Sequence, residues 1–238
     1  MVNATGQRWC VYSGLLWLAL FGTGIVFIAG LVPPPSPAAG TQEIAAFYAR
    51  NSTRIQAGLA VAILASALQF PYPVAVFLQL RRAEGPQAPL AYAQLASGLV
   101  APLLLIFPLF ALATAAYRAD SRDPRIIEAL SDLGWLSFVG AGCPIILQVL
   151  IIGIAVLRDR GERPVLPRWV GYLNIWSALL FLPGALVICF TRGPFAWNGV
   201  IAFWVPLVVL AVWYVVMSVV LLRAIKDQEA AGMIASPA

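Results

Sequence analysis

Neutral polar side chains lie inside otherwise apolar stretches of this sequence, and they are the first candidates for binding chemistry. Gln69, Gln148 and Asn174 each carry an amide that must find a hydrogen-bond partner when it is buried in hydrocarbon. A partner on a neighbouring helix would make the amide a structural tie, whereas a partner on a bound molecule would make it a ligand contact. The structural role is favoured. Under the alternative, the ligand-binding candidates are Gln69, Gln148, Asn174, Trp176, Trp197 and Asn198.

Charged side chains form the second group of candidates, and they fall in segments between the apolar stretches. A polar rim of Arg118, Asp120, Asp132 and Arg192 is where an enzyme with its polar centre at the membrane surface would place its reacting groups. Loop charges that are simply solvated are the favoured interpretation.

Several classes of chemistry are excluded because their residues are missing. The sequence has no histidine, which excludes imidazole ligands and a histidine general base. The three cysteines are too few for a thiolate cluster, and we interpret Cys10, Cys143 and Cys189 as small packing residues outside disulfide reach of each other. The single lysine, Lys226, lies in the C-terminal tail. We therefore predict no metal and no cofactor.

Six apolar runs account for most of the chain and must position these residues. Of the 238 residues, 61% are hydrophobic and 11% are charged, about half or less of the charge content of a soluble domain. Each run is long enough to cross a bilayer, and all charged residues lie outside the runs. The predicted fold is an all-α polytopic membrane helix bundle, a single transmembrane domain over residues 1–238. The predicted spans are residues 10–32, 57–80, 90–117, 133–157, 170–190 and 199–222.

The distribution of basic residues predicts the orientation of the bundle. The termini and the even-numbered connections hold nine basic residues, and the odd-numbered connections hold six. Because basic residues are enriched in cytoplasmic segments, both termini are predicted to be cytoplasmic. The net charge of +5 is consistent with membrane-flanking residues, and no nucleic-acid partner is expected.

Two connections on the side of the membrane opposite the termini are predicted to contain short amphipathic external helices. In the first, Thr41 is the expected N-cap, and Ile44, Phe47 and Tyr48 share one face. In the second, Asp123 is the expected N-cap before a helix that continues into the fourth span. Both helices are expected to cover the ends of the bundle, with a lid as the alternative.

Prolines and small residues inside the spans predict how the helices bend and pack. Each internal proline removes one backbone donor and crowds the preceding turn. We therefore expect bends near Ala67, Gln69, Gly98, Leu104, Gly140, Leu179 and Ala202. The small residues Gly58, Ala62 and Ser66 recur every four positions and predict a close helix crossing.

Three stretches of the sequence carry a resemblance to a known group of proteins. They are Asp132-Leu133-Gly134-Trp135, Pro167-Arg168-Trp169-Val170-Gly171-Tyr172 and Gly193-Pro194-Phe195-Ala196-Trp197-Asn198-Gly199. They resemble a family of bacterial six-helix integral membrane proteins of similar length, for which no activity is established. The resemblance implies six helices and a bacterial inner membrane, and it assigns no catalytic residue.

These observations favour a non-enzymatic membrane protein. Its expected role is to bind an apolar small molecule or a lipid, or to serve as an accessory subunit of a membrane complex. The expected partners are the lipid bilayer, a hydrophobic ligand, and a membrane protein or a second copy of the chain. The main alternative is a facilitative transporter of a neutral or hydrophobic solute, which needs no buried charge.

Overall fold

Six helical segments in this computed structural model are long and apolar enough to cross a membrane. The structure describes residues 3–234, with side chains over residues 3–231, and this part of the chain is helical without strands. The spans are Ala4–Ile28, Thr41–Glu84, Pro89–Ala116, Pro124–Arg158, Arg168–Cys189 and Val200–Ala231. The prediction of an all-α bundle with six membrane helices is confirmed, and the chain is a multi-pass membrane protein.

Eight α-helices build the six spans. They are α1 (Ala4–Gly22), α2 (Thr41–Ser66), α3 (Tyr72–Glu84), α4 (Pro89–Ala116), α5 (Pro124–Gly140), α6 (Cys143–Arg158), α7 (Arg168–Phe181) and α8 (Val205–Ile234). The second span joins α2 to α3, and the fourth joins α5 to α6. The first span ends in the π-helix Thr23–Ile28, the fifth ends in the 3₁₀-helix Leu182–Cys189, and the sixth begins with the π-helix Val200–Trp204.

Breaks in helix geometry occur in five of the six spans, and four of them accompany proline. The 3₁₀ turn Ala67–Gln69 precedes Pro71, two non-helical residues precede Pro144, and the π-helix Val200–Trp204 precedes Pro206. Pro183 is the second residue of the 3₁₀ segment of the fifth span. Loss of a backbone donor explains why these four breaks lie beside prolines. In contrast, α4 remains one uninterrupted helix through its two internal prolines.

The first connection differs from its prediction. Gly40, rather than Thr41, occupies the N-cap of α2, and the helix continues without interruption to Ser66. The Thr41 hydroxyl instead donates to Glu128 Oε2 at 2.8 Å. The segment is therefore the beginning of the second span, because its apolar residues Ile44 and Tyr48 are buried among other helices.

The second connection folds as its sequence predicts. The Asp123 carboxylate accepts from Arg125 N at 2.8 Å, Pro124 is the first helical residue, and α5 runs on to Gly140. Ile127 is fully buried on the inner face of α5, whereas Ile126 is half-exposed. Side-chain capping of an otherwise unpaired N–H fixes the start of this helix.

Polar contacts tie the helices together at the end of the bundle where α1 begins and the described part of α8 ends. Gln79 is fully buried there, and its amide donates to Gln7 Oε1 at 2.6 Å and to Gln228 Oε1 at 3.2 Å. Arg82 donates to Gln79 Oε1 at 2.5 Å. These contacts connect α1, α3 and α8, and we call this end the terminal side.

The other end of the bundle, which we call the far side, is held by contacts between its connections. The indole of Trp197 donates to the Pro35 carbonyl at 2.8 Å, so the last connection is fastened to the first. Gln56 on α2 donates to the carbonyl of Ala116 at the end of α4, at 3.2 Å. The ends of the bundle are thus cross-linked by hydrogen bonds on both sides.

The cysteines are free in the described chain, and two of them are not packing residues. Cys143 and Cys189 are exposed, so their interpretation as small core residues is wrong. Both lie in spans, where exposed side chains of a membrane bundle face lipid. Cys10 is partly buried, as a packing residue would be.

One close helix crossing involves the glycine of the predicted small-residue row. A Cβ at Gly58 would meet Ala29 N and Gly24 O closer than 3.0 Å, and a Cβ at Gly24 would lie 2.6 Å from Gly58 O. The first and second spans therefore touch backbone to backbone, which only glycine permits at these positions.

We expect Gly58→Ala to lower the free energy of unfolding by about 1–3 kcal/mol, because its methyl group collides with backbone atoms that cannot move aside. The matched control is Gly22→Ala in α1, where a Cβ meets nothing within 4 Å. Its effect should be neutral or stabilising by up to about 1 kcal/mol. The free energy of unfolding of each variant is measured in mixed micelles by circular dichroism. Equal free energies of unfolding for Gly58→Ala and Gly22→Ala would contradict the close crossing.

Candidate functional site

An apolar cavity of about 200 Å³ lies between the helices, and every span contributes to its lining. Its aromatic members are Trp17, Phe21, Phe138, Phe181 and Phe203. None of the lining side chains in the described chain is ionisable, and Gln69 is the only one with an amide. The cavity is therefore electrically neutral, with a mainly aromatic and aliphatic wall.

The cavity lies where two separate hydrophobic cores meet. The terminal-side core contains Trp17 and Phe181, and the far-side core contains Phe203. Phe21 packs against both cores, and its ring is nearly parallel to that of Phe138 with centroids 6.4 Å apart. The cores are thus linked through aromatic side chains around the cavity.

The helix breaks converge on this cavity. Gln69 belongs to the 3₁₀ turn of the second span, residues 141–142 are the break in the fourth, and Gly184 lies in the 3₁₀ segment of the fifth. Ala202 belongs to the π-helix of the sixth span, and Gly22 directly precedes the π-helix of the first. Four of the five breaks therefore contribute residues to one space, and the break in the first span begins one residue after the lining residue Gly22.

The break in the fourth span leaves backbone acceptors beside the cavity. Ala141 N donates to Ser137 O at 3.0 Å, and this is the final backbone bond of α5. The carbonyls of residues 138–140 therefore have no helical partner, as is usual at a helix end. Phe138 and Val139 are also lining residues of the cavity.

Trp17 and Gln69 contribute two buried polar atoms without a partner. Trp17 is 1% exposed and Gln69 is 5% exposed, and both line the cavity. Neither Trp17 Nε1 nor Gln69 Oε1 makes a hydrogen bond in the described chain. The other end of the Gln69 amide, Nε2, donates to the Tyr214 hydroxyl at 2.7 Å. One potential donor and one potential acceptor thus remain on the lining residues.

Asn174 is an interhelical tie rather than part of the cavity. Its Oδ1 accepts from Trp213 Nε1 at 2.8 Å, and its Nδ2 donates to the Val170 carbonyl at 2.8 Å. All three groups are buried, so the amide is satisfied by α7 and α8 alone. This is the structural role that the sequence favours for a buried amide.

The remaining ligand-binding candidates lie away from the cavity. Gln148 is buried against Gly98, and Asn198 is partly buried in the last connection. Trp176 is 64% exposed, and Trp197 is buried against the first connection. Of the six candidates, only Gln69 is part of the lining.

The predicted polar rim does not form a joined cluster. Arg118, Asp120 and Arg192 are exposed, and Asp132 is partly buried at the start of the fourth span. No hydrogen bond or ion pair connects any two of these four side chains, whose positions all lie in the described region. Arg118 instead lies over the ring of Tyr117, 5.3 Å from its centroid. The structure thus leaves Arg118, Asp120 and Arg192 solvated at the far side, whereas Asp132 is partly buried.

Sequence reasoning missed several residues that the structure brings together. Trp17 was visible as a tryptophan in the interior of a run, but nothing in its spacing indicated a cavity. Tyr214 packs on Trp17 with ring centroids 4.7 Å apart and accepts from Gln69. Gln79 carries the terminal-side network, and its position three residues before Arg82 was the available signal.

Comparisons with protein-family models, with curated proteins and with solved structures find nothing that matches this chain. The fold and the cavity define a multi-pass α-helical membrane protein with a neutral internal space.

The tie between α7 and α8 can be measured with a double-mutant cycle. We expect Asn174→Leu to lower the free energy of unfolding by about 1–3 kcal/mol, because it leaves the buried Trp213 N–H unpaired. Combined with Trp213→Phe, the coupling energy should be about 0.5–1.5 kcal/mol. Unfolding in mixed micelles gives all four values.

Trp176→Phe is the control for the loss of an indole, since Trp176 is largely exposed. Its effect should stay within about 0.5 kcal/mol. A coupling energy of zero between positions 174 and 213 would show that their hydrogen bond does not hold the two helices together.

Proposed function

We propose that this protein binds an apolar small molecule, or a segment of a lipid, in the cavity between its six spans, and that it does so without catalysing a reaction. The supporting observation is the uncharged, largely apolar lining to which every span contributes. Ligand sites of this kind are concave and mostly apolar, with a few polar groups that orient the ligand.

The size of the cavity limits the ligand. A dry apolar cavity of about 150 Å³ in another protein binds benzene, so the space of about 200 Å³ here suits a substituted benzene or a short acyl segment. An ion would be disfavoured because no lining side chain can neutralise it. The proposed ligand class is thus neutral and compact.

A facilitative transporter is the second candidate, and the helix breaks favour it. In secondary transporters, discontinuous helices commonly form the substrate site near the middle of the bilayer. Residues of four helix breaks line this cavity, and a neutral solute needs no charged partner. Binding and transport can therefore share one site.

We also propose a bacterial inner membrane as the location, with both termini cytoplasmic. The network of Gln7, Gln79 and Gln228 is consistent with the N-terminal segment, the α3–α4 connection and the C-terminal segment sharing one side. Arg8, Arg82 and Arg158 lie at helix ends consistent with that side, as the excess of basic residues in cytoplasmic segments requires. An accessory-subunit role or self-association stays a prediction, since the exposed apolar side chains are equally suited to lipid contact.

Filling the cavity should abolish ligand binding. A Cβ at Gly142 meets only Ile146 Cδ1, at 4.0 Å, so Gly142→Leu can project into open space beside the lining. With the protein in nanodiscs, propylbenzene should raise the melting temperature of the wild type and leave that of Gly142→Leu unchanged. The expected stabilisation is about 2.7 kcal/mol at a ligand concentration of 100 Kd.

The matched control is Gly40→Leu, which adds the same side chain where a Cβ meets nothing within 4 Å, away from the cavity. It should respond to propylbenzene like the wild type. Equal responses of all three proteins would refute a binding cavity. A saturable flux of propylbenzene in proteoliposomes that is lost in Gly142→Leu would instead identify the protein as a facilitative transporter.

The proposed orientation can be checked by cysteine labelling. In a background without native cysteines, Ser121→Cys on the far side should react with a membrane-impermeant maleimide in intact spheroplasts. Gly161→Cys, between α6 and α7, should react only after the membrane is opened. Both positions are exposed on the protein surface, so a difference in their labelling can only come from the side of the membrane on which each position lies. The reverse pattern would place the termini outside.

A further inference from the structure

We propose that residues 158–168 on the terminal side, which we call the basic loop, form a docking surface for phospholipids with anionic headgroups. Four exposed arginines lie in this loop: Arg158, Arg160, Arg163 and Arg168. The connections and helix ends of the terminal side hold nine basic and five acidic side chains, whereas those of the far side hold six basic and five acidic ones. The basic loop lies outside the cavity lining, so this docking surface is independent of the ligand proposed there.

The arginines of the basic loop are not neutralised by carboxylates of the protein. Asp159 accepts from Gly161 N at 3.0 Å and from Val165 N at 2.8 Å, so backbone donors occupy both of its oxygens. The ion pair found in the described chain joins Arg8 to Glu229, outside the loop. No arginine of the basic loop forms an ion pair with any residue that the structure describes. Their charges are therefore available to an external anion.

The basic loop is held against the bundle, at the level where headgroups lie. Leu166 is 2% exposed and belongs to the terminal-side core, and Val165 packs against the same core. Trp169 and Tyr172 follow the loop directly, and each is about half exposed. Such amphipathic rings favour the interface between hydrocarbon and water. This placement favours lipid over a water-soluble acidic protein as the occupant.

Two exposed cations on α8 extend the basic surface. Asn174 Nδ2 contacts Met217 Sδ at 3.5 Å, so these residues lie at one depth on α7 and α8. Arg168 precedes Asn174 by six residues, Arg223 follows Met217 by six, and the two helices run in opposite directions. Both arginines therefore lie about 9 Å further toward the terminal side. Lys226 follows Arg223 by three residues, and all three cations are exposed.

An apolar stripe leads from these cations into the bilayer. Val212, Val215 and Val219 are each about half exposed, and their spacing of three and four residues continues to Arg223. A phospholipid matches this pattern, because its acyl chains can lie along the valines while its phosphate stays at the level of the cations. Clusters of about four to eight basic residues beside a membrane helix bind anionic lipids electrostatically.

Lipid selectivity in reconstituted vesicles tests the docking surface. Electron paramagnetic resonance gives the association constants of spin-labelled phosphatidylglycerol and phosphatidylcholine with the full chain. At low salt the wild type should prefer phosphatidylglycerol about three- to tenfold. The loop variant, Arg160→Gln with Arg163→Gln and Arg168→Gln, should lose at least about half of this preference, because it removes three of the attracting charges.

The matched control is the far-side variant, which replaces three exposed arginines on the other side by glutamine: Arg50, Arg125 and Arg192. It loses the same net charge and should keep the preference of the wild type. Lysine at positions 160, 163 and 168 preserves the charge of the loop and should also keep it. Equal losses in the loop and far-side variants would show that net charge, and not the basic loop, attracts the lipid.

A salt titration of the wild type tests the proposal without any substitution, so it decides even if the loop variant does not fold. Raising the ionic strength from about 0.01 M to about 1 M shortens the Debye length from about 30 Å to about 3 Å. Most of the preference for phosphatidylglycerol should then disappear. Equal association constants for the two lipids at low salt, or a preference that salt leaves unchanged, would overturn electrostatic docking.

Discussion

The need to satisfy backbone hydrogen bonds inside a bilayer is the constraint on which this structure depends. A break in a membrane helix exposes carbonyls and amides that lipid cannot pair, so breaks persist only where protein covers them or where they line a cavity. Five spans of this bundle are broken, and residues of four of these breaks line one neutral space. The cavity and the irregular helices therefore have a common physical explanation.

The rest of the bundle supports this arrangement from both ends. On the terminal side, Gln7, Gln79 and Arg82 connect three helices, and on the far side Trp197 is fastened to the first connection. Between them, Gly24 and Gly58 bring two spans into backbone contact. Hydrogen bonds thus tie the spans together at both ends of the bundle, and one close backbone contact joins the first two spans.

The sequence predicts the fold more completely than the site, for physical reasons. Hydropathy and the exclusion of charge identify all six spans, and four breaks lie beside prolines because proline removes a local donor. These are local properties of the chain. The cavity depends on six helices meeting at one depth, which no local pattern specifies. Gln69 was identified as a polar residue that needs a partner, but its neighbours Trp17 and Tyr214 become apparent only when the helices pack.

The absence of charged side chains from the lining determines how such a site can discriminate between ligands. An apolar pocket distinguishes molecules that differ by one methylene only modestly, whereas buried groups that require hydrogen bonds reject a ligand that leaves them unpaired. In this cavity the apolar wall can supply affinity for any molecule of suitable volume. The lining side chains carry no charge and a single amide, that of Gln69, so the volume and apolar shape of a ligand are the main properties on which such a site could select. Because no lining side chain is charged, selection of this kind operates without the desolvation cost that an ion would impose at the same depth.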